Sequence, residues 1–562
     1  MQVDRFCLAF LALVLSALTA SAADEPGGPA AQAAQAAASA APAEKAAEPS
    51  PQPAAPPAVA EAGLAAELTE RLAAGSAASA ADRADREALA AFYAARGYVP
   101  VWVTASGPTP GAQAAIAEIR RADDWGLEAS AFQLPTLPAA GGAALSAAQR
   151  ADAEVALSLA ILKYARHARG SRADPATLSR NLDRQLPLLD PGEVIRAATK
   201  ADQPDAFLRF LHPQHPQFEA LRQKYLALRA GQTMPPAATA PAADDAKGKN
   251  AGKAKPVAAP SQASARKLLV NMEEWRWMPE DLGDFYVWVN IPEFTLRVVK
   301  NGEVIHTERV IVGKPDTPTP VLSKDMEQVI FHPFWGVPES IKQQDVLPSL
   351  RRGSTRLFTH YKLRIQKGGR DIDPETVDWS TADIRSFHVF QPPGETNVLG
   401  TVKFRFPNKH DVYMHDTPTK NLFNADVRAF SHGCMRVRNP QRLAELLLAE
   451  DKGWPASRVA AAMGPGGAHN NQVNIGRKIP VHITYFTARV EADGKLRLYA
   501  DLYDHESKIA LGLAGKAHLI PRWKEDRAPA TAEPIARLEE VSSGGMGKKN
   551  WQRQVLSPFG NH

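Results

Sequence analysis

The stretch "YVWVNIPEFTLRVVKNGEVIHTERVIVG", Tyr286 to Gly313, decides the fold of the second half of the chain. Apolar and polar side chains alternate along it with a period of two, which is typical of β-strands. Asn301 and Gly302 separate two such runs, and this dipeptide is the strongest short signal for a two-residue hairpin. The stretch therefore predicts antiparallel strands that are joined by a tight turn at Asn301.

Strand-like runs continue downstream of this hairpin, with turn residues between them. They read "MEQVIFHPFW", "TVKFRFPN", "DVYMHD", "VHITYFTARV" and "LRLYADLY". Only two segments of this half predict helices, "PESIKQQDVLPSLRR" and the "QRLAELLLAED" that follows Pro440. We expect residues 264–515 to form one mostly β domain.

Residues 63–230 have a different pattern, with apolar side chains at helical spacing. Examples are "DREALAAFYAARG", which ends at Gly97, and "DAEVALSLAILKYARHARG". Aromatic side chains at such spacing are used more often for core packing than for a sugar groove. We therefore predict a helical accessory domain, with its aromatic residues in the core: Phe92, Tyr93, Tyr98 and Trp102.

Ala/Pro-rich stretches flank the helical region. Residues 23–62 and 231–263 contain almost no side chains that a core could bury, so we predict two disordered linkers. Residues 516–562 are predicted to be a C-terminal tail. Residues 1–22 have one basic residue, a short apolar run and a small-residue end, which indicates a cleaved secretory signal. The apolar run is shorter than the roughly 20 residues that a membrane-spanning helix needs.

The charges exclude one broad class of partner. The chain has 66 basic and 61 acidic residues, which gives a net charge of only +5. The two signs are interspersed, so the sequence has no basic stripe of the kind that binds nucleic acid.

Cys434 lies in "AFSHGCMRVRNP" and is one of two cysteines in the sequence. The other is Cys7, which the predicted signal cleavage removes. A single thiol in an oxidising compartment is typical of a functional residue. Attack by sulfur requires the thiolate, which a nearby imidazole favours, and both His432 and His415 are candidate bases. Gly433 permits an unusual backbone angle immediately before the thiol.

Three other interpretations of this cluster remain open. Cys434 can be an inert buried residue. His415, Asp416, His432 and Cys434 can bind zinc, although adjacent strand residues point to opposite faces. A papain-like thiol peptidase also uses Cys and His, but its histidine follows the cysteine far downstream. The residues themselves favour a thiol acyltransferase or hydrolase.

The cluster resembles the signature of the YkuD-type L,D-transpeptidases of bacterial cell walls. In that family a histidine is followed by Ser/Thr-His-Gly-Cys and then Arg or Asn; here the residues are His415, then Ser431 to Cys434, then Arg436. The upstream helical region is similar to the scaffold of the large periplasmic subgroup. The resemblance implies a multidomain α+β chain: an N-terminal mostly helical scaffold domain, disordered linkers and a C-terminal mostly β catalytic domain.

The resemblance also implies roles for particular residues. Cys434 is the implied nucleophile, and His415 is the base that forms a thiolate–imidazolium pair with it. The amides of Gly433 and Cys434 form the implied oxyanion hole, in an active-site loop that includes Ser431 and His432. The residues implied to bind substrate are Arg436, Tyr413, Trp335 and Gln391. The segment from Gln343 to Gly400 is the implied covering loop.

The implied reaction forms 3→3 cross-links between diaminopimelate residues of peptidoglycan stem peptides through a thioester. The implied partners are a donor tetrapeptide, an acceptor amine and other cell-wall enzymes or outer-membrane proteins, in the periplasm. No metal or organic cofactor is implied. The alternatives are attachment of a protein to peptidoglycan, L,D-carboxypeptidase activity and, from another class, non-catalytic peptidoglycan binding.

Overall fold

The computed structural model describes residues 61–73, 79–137, 144–232, 238–239 and 262–521. The predicted signal and most of the predicted linkers and tail lie outside these residues. In the part of the chain that is described, no helix combines the length and apolar character needed to cross a bilayer. The helices are α1 Ala62–Ala73, α2 Ala80–Ala95, α3 Pro110–Arg120, α4 Ala147–Ala168, α5 Pro175–Leu178, α6 Pro191–Lys200, α7 Pro204–Phe210, α8 Pro216–Arg229, α9 Gln262–Arg276, α10 Glu339–Ile341, α11 Leu347–Arg351, α12 Arg356–Tyr361, α13 Pro440–Lys452, α14 Ala456–Met463 and α15 His505–Leu513.

The N-terminal region is helical, and its core contains two of the four aromatic side chains that were predicted to be there. Tyr93 is 0% exposed and Trp102 is 2% exposed, which confirms their core position, whereas Phe92 and Tyr98 are only partly buried against that core. Glu154, on α4, is buried between them. Its carboxylate accepts the Tyr93 hydroxyl at 2.7 Å and the Trp102 and Val103 amides at 2.9 Å. A buried polar group of this kind stabilises the fold only when it is fully hydrogen-bonded.

The described residues contain twenty strands, and eleven of them form the one curled sheet on which the C-terminal region is built. The strands are β1 Val103–Thr104, β2 Gly107–Pro108, β3 Ala238–Thr239, β4 Phe285–Asn290, β5 Thr295–Lys300, β6 Glu303–Gly313, β7 Leu322–Asp325, β8 Gln328–Phe331, β9 Trp335–Gly336, β10 Arg364–Lys367, β11 Arg370–Asp371, β12 His388–Gln391, β13 Val402–Arg405, β14 Met414–His415, β15 Ala429–Ser431, β16 Met435–Val437, β17 Asn471–Asn474, β18 Pro480–Thr484, β19 Ala488–Val490 and β20 Leu496–Leu498. The order in the main sheet is β17-β8-β13-β14-β16-β6-β5-β4-β18-β7, and β15 also pairs with β6.

The predicted hairpin is present between β5 and β6. Lys300 pairs with Glu303, so the turn has two residues, and both have positive φ: 51° at Asn301 and 81° at Gly302. Positive φ at both central positions matches the twist of the flanking strands, which is why Asn-Gly is favoured there. The hairpin prediction is confirmed.

Strand β4 is buried on both faces. Val287 packs into the main core, whereas Trp288, on the opposite face, packs against Trp275 of α9 at 5.8 Å between ring centroids. The prediction of only two helices in this half was incomplete. Helices α9, α12, α14 and α15 are also present, and α9 covers the second face of β4.

Residues 335–391, called the cap below, form a separate small hydrophobic cluster with a four-stranded sheet in the order β11-β10-β12-β9. The predicted helix 338–352 is here, as α10, a π-helical turn at Lys342–Val346, and α11. The cap covers the loop that carries Cys434, because Asp345 of the π-helical turn lies 3.8 Å from His432.

A segment of the helical region braces the β-domain close to this loop. Leu182 forms a parallel bridge with Val321, and the Arg184 guanidinium donates to the Ile483 carbonyl at 2.6 Å. The Asp183 carboxylate lies 3.2 Å from the His410 Nε2 and 2.9 Å from the Lys409 Nζ. The helical region therefore contacts the β-domain at Val321, at Ile483 and at residues 409–410.

Candidate active site

The short parallel pair of β14 and β16 brings the two signature segments together. Met414 pairs with Met435 and His415 with Arg436, and the Met435 amide donates to the Tyr413 carbonyl at 3.0 Å. Both methionines are fully buried in the core. Since side chains alternate along a strand, Tyr413, His415, Cys434 and Arg436 share the opposite face.

The Cys434 thiol is half-buried, with its Sγ 4.0 Å from the Asp411 carbonyl. Burial raises the pKa of the thiol. Hydrogen bonding from the Tyr413 backbone amide and phenol, together with the charges of Lys403 and Arg436, lowers this pKa and offsets part of the rise. The thiol is therefore surrounded by donors and cations that stabilise a thiolate when one forms.

His415 is 5% exposed, and its Nδ1 lies 2.5 Å from the Asp416 carbonyl oxygen. A carbonyl can only accept, so Nδ1 carries the proton and Nε2 is left as an acceptor. Burial, followed by the charge of Arg436, lowers the pKa of His415 to about 3. The neutral imidazole with a bare Nε2 is the form that can remove a proton from a thiol.

These shifts favour a neutral thiol beside a neutral imidazole in the resting site. We expected a thiolate–imidazolium pair from the resemblance, but burial disfavours both charged forms. Proton transfer from Cys434 to His415 is then a step that accompanies attack on a substrate.

The loop before the thiol has the predicted unusual backbone angle, since Gly433 has a φ of 111°. The Gly433 amide, however, donates to the Ser431 hydroxyl at 3.1 Å, and that hydroxyl donates to the Cys434 carbonyl at 2.5 Å. The prediction that the Gly433 amide is free for an oxyanion is therefore wrong for this conformation. The amide of Cys434 is the remaining candidate donor.

Thr319 holds this loop from below. Its fully buried hydroxyl donates to the Gly433 carbonyl at 2.7 Å and accepts the Gly313 amide at 2.9 Å. Gly313 is required at its position, because a Cβ there would lie 2.2 Å from the Thr317 carbonyl. The segment between Gly313 and Thr319 thus fixes the backbone immediately before Cys434.

The predicted substrate-binding residues have different surroundings. Trp335 is half-buried, and Arg436 donates to the Thr419 hydroxyl at 3.1 Å, which braces the loop. Gln391 is 1% exposed, and its amide group binds the backbone of Tyr361, Thr396 and Val398. The structure contradicts a substrate contact for Gln391, because its hydrogen-bonding groups are engaged within the protein.

The four residues considered as zinc ligands do not converge. The Asp416 carboxylate accepts from the Thr401 amide at 2.9 Å and the Thr417 amide at 2.7 Å, and it pairs with Lys420 at 2.5 Å. Among the described residues, no three His, Cys, Asp or Glu side chains are arranged to hold a metal ion.

The comparison with known families agrees with this geometry. Residues 284–475 match the model of the YkuD family, described as an L,D-transpeptidase catalytic domain, and residues 87–224 match the Scaffold domain. Residues 284–475 are a YkuD-type L,D-transpeptidase catalytic domain. It follows a Scaffold domain, as the resemblance implied.

One curated relative of this chain is a Haemophilus influenzae protein named "Putative L,D-transpeptidase". It is 32% identical over 249 residues, which are 44% of this chain and 49% of that protein. The chain therefore matches about half the length of this relative.

Two solved structures are also similar. An L,D-transpeptidase from Mycobacterium smegmatis has 14% identity and a TM-score of 0.18, covering 36% of this chain and 58% of that one. L,D-transpeptidase 3 from Mycobacterium tuberculosis has 15% identity and a TM-score of 0.18, and the match covers 36% of this chain and 61% of that one.

The sequence did not identify three residues of the candidate site. Lys403 on β13 pairs with His415, and its Nζ lies 3.9 Å from the centre of the Tyr413 ring. In the sequence, Lys403 could have been noticed as a single cation between two apolar residues, Val402 and Phe404, which are buried in the core. Thr319 and Asp345 had no local signal, because distant segments bring them to the loop.

Proposed function

We propose that this chain is a cysteine-dependent peptidoglycan L,D-transpeptidase that forms 3→3 cross-links through a thioester. The observation that carries the proposal is His415, whose Nδ1 is bound by the Asp416 carbonyl and whose side chain lies on the same face of the β14–β16 pair as Cys434. A base with that tautomer beside a thiol is the arrangement needed for nucleophilic catalysis.

The first half-reaction uses the groups on this strand face. The His415 Nε2 takes the proton from Cys434, and Sγ attacks the carbonyl at the L-centre of diaminopimelate in a donor tetrapeptide. The tetrahedral oxyanion is stabilised by the Cys434 amide, while Lys403 and Arg436 supply positive charge. The C–N bond breaks, and the D-alanine amine leaves with the proton from His415.

In the second half-reaction an amine of a neighbouring stem peptide replaces sulfur at the thioester carbonyl, and Cys434 is regenerated. Water must be kept from the thioester for transfer to exceed hydrolysis. The cap supports this role, since it packs over the Cys434 loop through Asp345. We further propose export to the periplasm, where peptidoglycan lies, through the N-terminal signal.

The test is incubation of the purified mature protein with a disaccharide tetrapeptide, with intact protein mass and small products followed together. We expect a thioester on the wild type, release of D-alanine and a cross-linked dimer. Cys434→Ala should form no adduct, and His415→Gln should form it at least about a hundredfold more slowly. An adduct that yields only tripeptide would indicate a carboxypeptidase. Absence of any adduct would contradict the proposal.

A further inference from the structure

The cap contributes a buried carboxylate next to the Cys434 loop. Asp345 is 3% exposed, and its Oδ2 accepts no hydrogen bond from any described residue. Burial raises the pKa of this carboxyl, and the charge of Lys314 opposes the rise without forming a contact pair. An unpaired buried carboxylate is costly, so its retention indicates a cationic partner that comes from outside the chain.

The neighbouring cation of the cap is not this partner. The Lys342 ammonium donates to the Phe387 carbonyl at 2.9 Å and pairs with Glu339 at 2.5 Å. Asp345 also lies in the π-helical turn Lys342–Val346, and such turns occur frequently at functional sites. The turn therefore presents one carboxylate without a counter-ion to the loop beneath it.

The group that Asp345 faces is His432, whose Nε2 lies 3.8 Å from Oδ2. The His432 side chain is 25% exposed and that of Asp345 is 4% exposed, so His432 is the member of the pair that contacts solvent. Burial and the charges of Lys314 and Arg436 lower the pKa of His432 to about 4, against a smaller opposing effect of Asp316. At neutral pH His432 is therefore an uncharged base beside an unpaired carboxylate, two residues from the thiol.

We propose that Asp345 and His432 form the binding site for the acceptor ammonium of the second half-reaction, with Asp345 as the binding group and His432 as its base. The inference rests on the proposed function, because it assigns the second substrate of the same site. A primary ammonium fits the pair, since it offers N–H donors to the carboxylate and a removable proton to the imidazole.

The transfer step then balances as follows. His432 takes one proton from the ammonium, and the freed nitrogen lone pair forms the C–N bond to the thioester carbonyl. The C–S bond breaks with its electrons on Cys434, and the second proton of the amine passes through His415 to that thiolate. The products are an amide and the free thiol, and the proton on His432 is released to water.

The first test compares two nucleophiles on the thioester enzyme. With an acceptor stem peptide, whose amine is charged at neutral pH, we expect Asp345→Asn to raise the half-saturating acceptor concentration about tenfold. With hydroxylamine, which is uncharged at neutral pH, the same variant should match the wild type. Asp383→Asn, at an exposed carboxylate of the same cap, is the control. It should have the wild-type kinetics with both nucleophiles. Equal defects with both nucleophiles, or none with either, would overturn the assignment.

A second measurement does not depend on thioester formation. The acceptor stem peptide is titrated into Cys434→Ala protein, and the imidazole NMR signals of His432 are followed with and without Asp345→Asn. We expect a saturable shift that the second substitution weakens about tenfold. A His432 signal that does not respond would overturn the acceptor site by itself, whereas a missing thioester on the wild type would contradict only the proposed function.

Discussion

The Lys403 ammonium lies 3.9 Å from the centre of the Tyr413 ring, and Lys403 pairs in register with His415. Lys403 forms no ion pair among the described residues, and burial lowers the pKa of its ammonium, whereas the charge of Cys434 raises it. The Lys403 ammonium is positioned over the Tyr413 ring, and its charge lowers the pKa of the Cys434 thiol. It therefore acts on the thiol without being neutralised by a carboxylate.

We predict that Lys403→Met raises the pKa of the Cys434 thiol, since loss of a nearby cation disfavours the thiolate. Alkylation by iodoacetamide reports the thiolate directly, so its rate at neutral pH should fall about tenfold and its pH profile should move upward. Arg405→Met, on the same strand but paired with Glu327, is the matched control. An unshifted alkylation profile for Lys403→Met would show that the cation does not act on sulfur.

The pKa of His415 predicts the acid limb of thioester formation. Because this pKa is lowered to about 3, the imidazole stays a neutral base as the pH falls from 7 to 5. The rate of thioester formation should therefore not decrease near pH 6.5, where an ordinary histidine becomes protonated. Arg436→Met removes the second cause of the lowering, so it should raise the pKa and move the acid limb to higher pH. Intact-mass kinetics between pH 3 and 8 measure the limb. Arg438→Met, whose guanidinium pairs with Glu308, should leave it in place.

Thr319→Val tests the support of the loop before the nucleophile. The substitution keeps the shape but leaves the Gly433 carbonyl and the Gly313 amide without their partner, so we expect about 1–3 kcal/mol lower free energy of unfolding. Thioester formation should slow more than substrate binding weakens, since the loop carries the thiol. Thr319→Ser keeps the hydroxyl and should restore most of the rate. If Thr319→Val forms the thioester at the wild-type rate, the hydrogen bonds of the Thr319 hydroxyl have no influence on the thiol.

His505 predicts an acid-sensitive fold. It is 1% exposed between Tyr485 and Tyr503, and neither ring nitrogen has a hydrogen-bond partner among the described residues. Burial, followed by the charge of Lys508, lowers the pKa of His505 to about 3. The unfolded chain takes up this proton near pH 6.5 and the folded chain does not, so stability is lost as the pH falls from 6.5 toward 3.

Between pH 8 and pH 5 this single histidine should cost about 2 kcal/mol of unfolding free energy. His505→Phe keeps an aromatic ring and removes the titration, so chemical unfolding at the two pH values should show a smaller acid loss in the variant. His360→Phe replaces an exposed histidine and should keep the wild-type difference. The same acid loss in wild type and His505→Phe would disprove the assignment.

Local chemistry explains what could be predicted along the chain. Asn301-Gly302 adopts the positive φ values of a tight hairpin, and Asn439 accepts the Arg442 amide as the cap of α13, with Pro440 in its first turn. Gly433 has the left-handed φ that its place before Cys434 suggested. Each of these features depends on neighbouring residues only, which is why sequence was sufficient.

The choice of hydrogen-bond partner explains the misses. The Gly433 amide was expected to be free, but the hydroxyl of Ser431 accepts its hydrogen bond. Gln391 was expected to contact substrate, but its side-chain amide donates to the backbone carbonyls of Tyr361 and Thr396. A pattern of residue types does not reveal which donor reaches which acceptor once the chain is folded.

The sequence by itself determined the β-domain, the helical domain before it and the segments that carry Cys434 and His415, because periodicity, turn residues and a short signature are local properties. Tertiary structure decided which groups surround the thiol. Thr319 reaches Gly433 across 114 positions, and Asp345 reaches His432 only because the cap folds over the sheet. Strand register and domain packing set these distances, and both depend on the free energy of the whole fold.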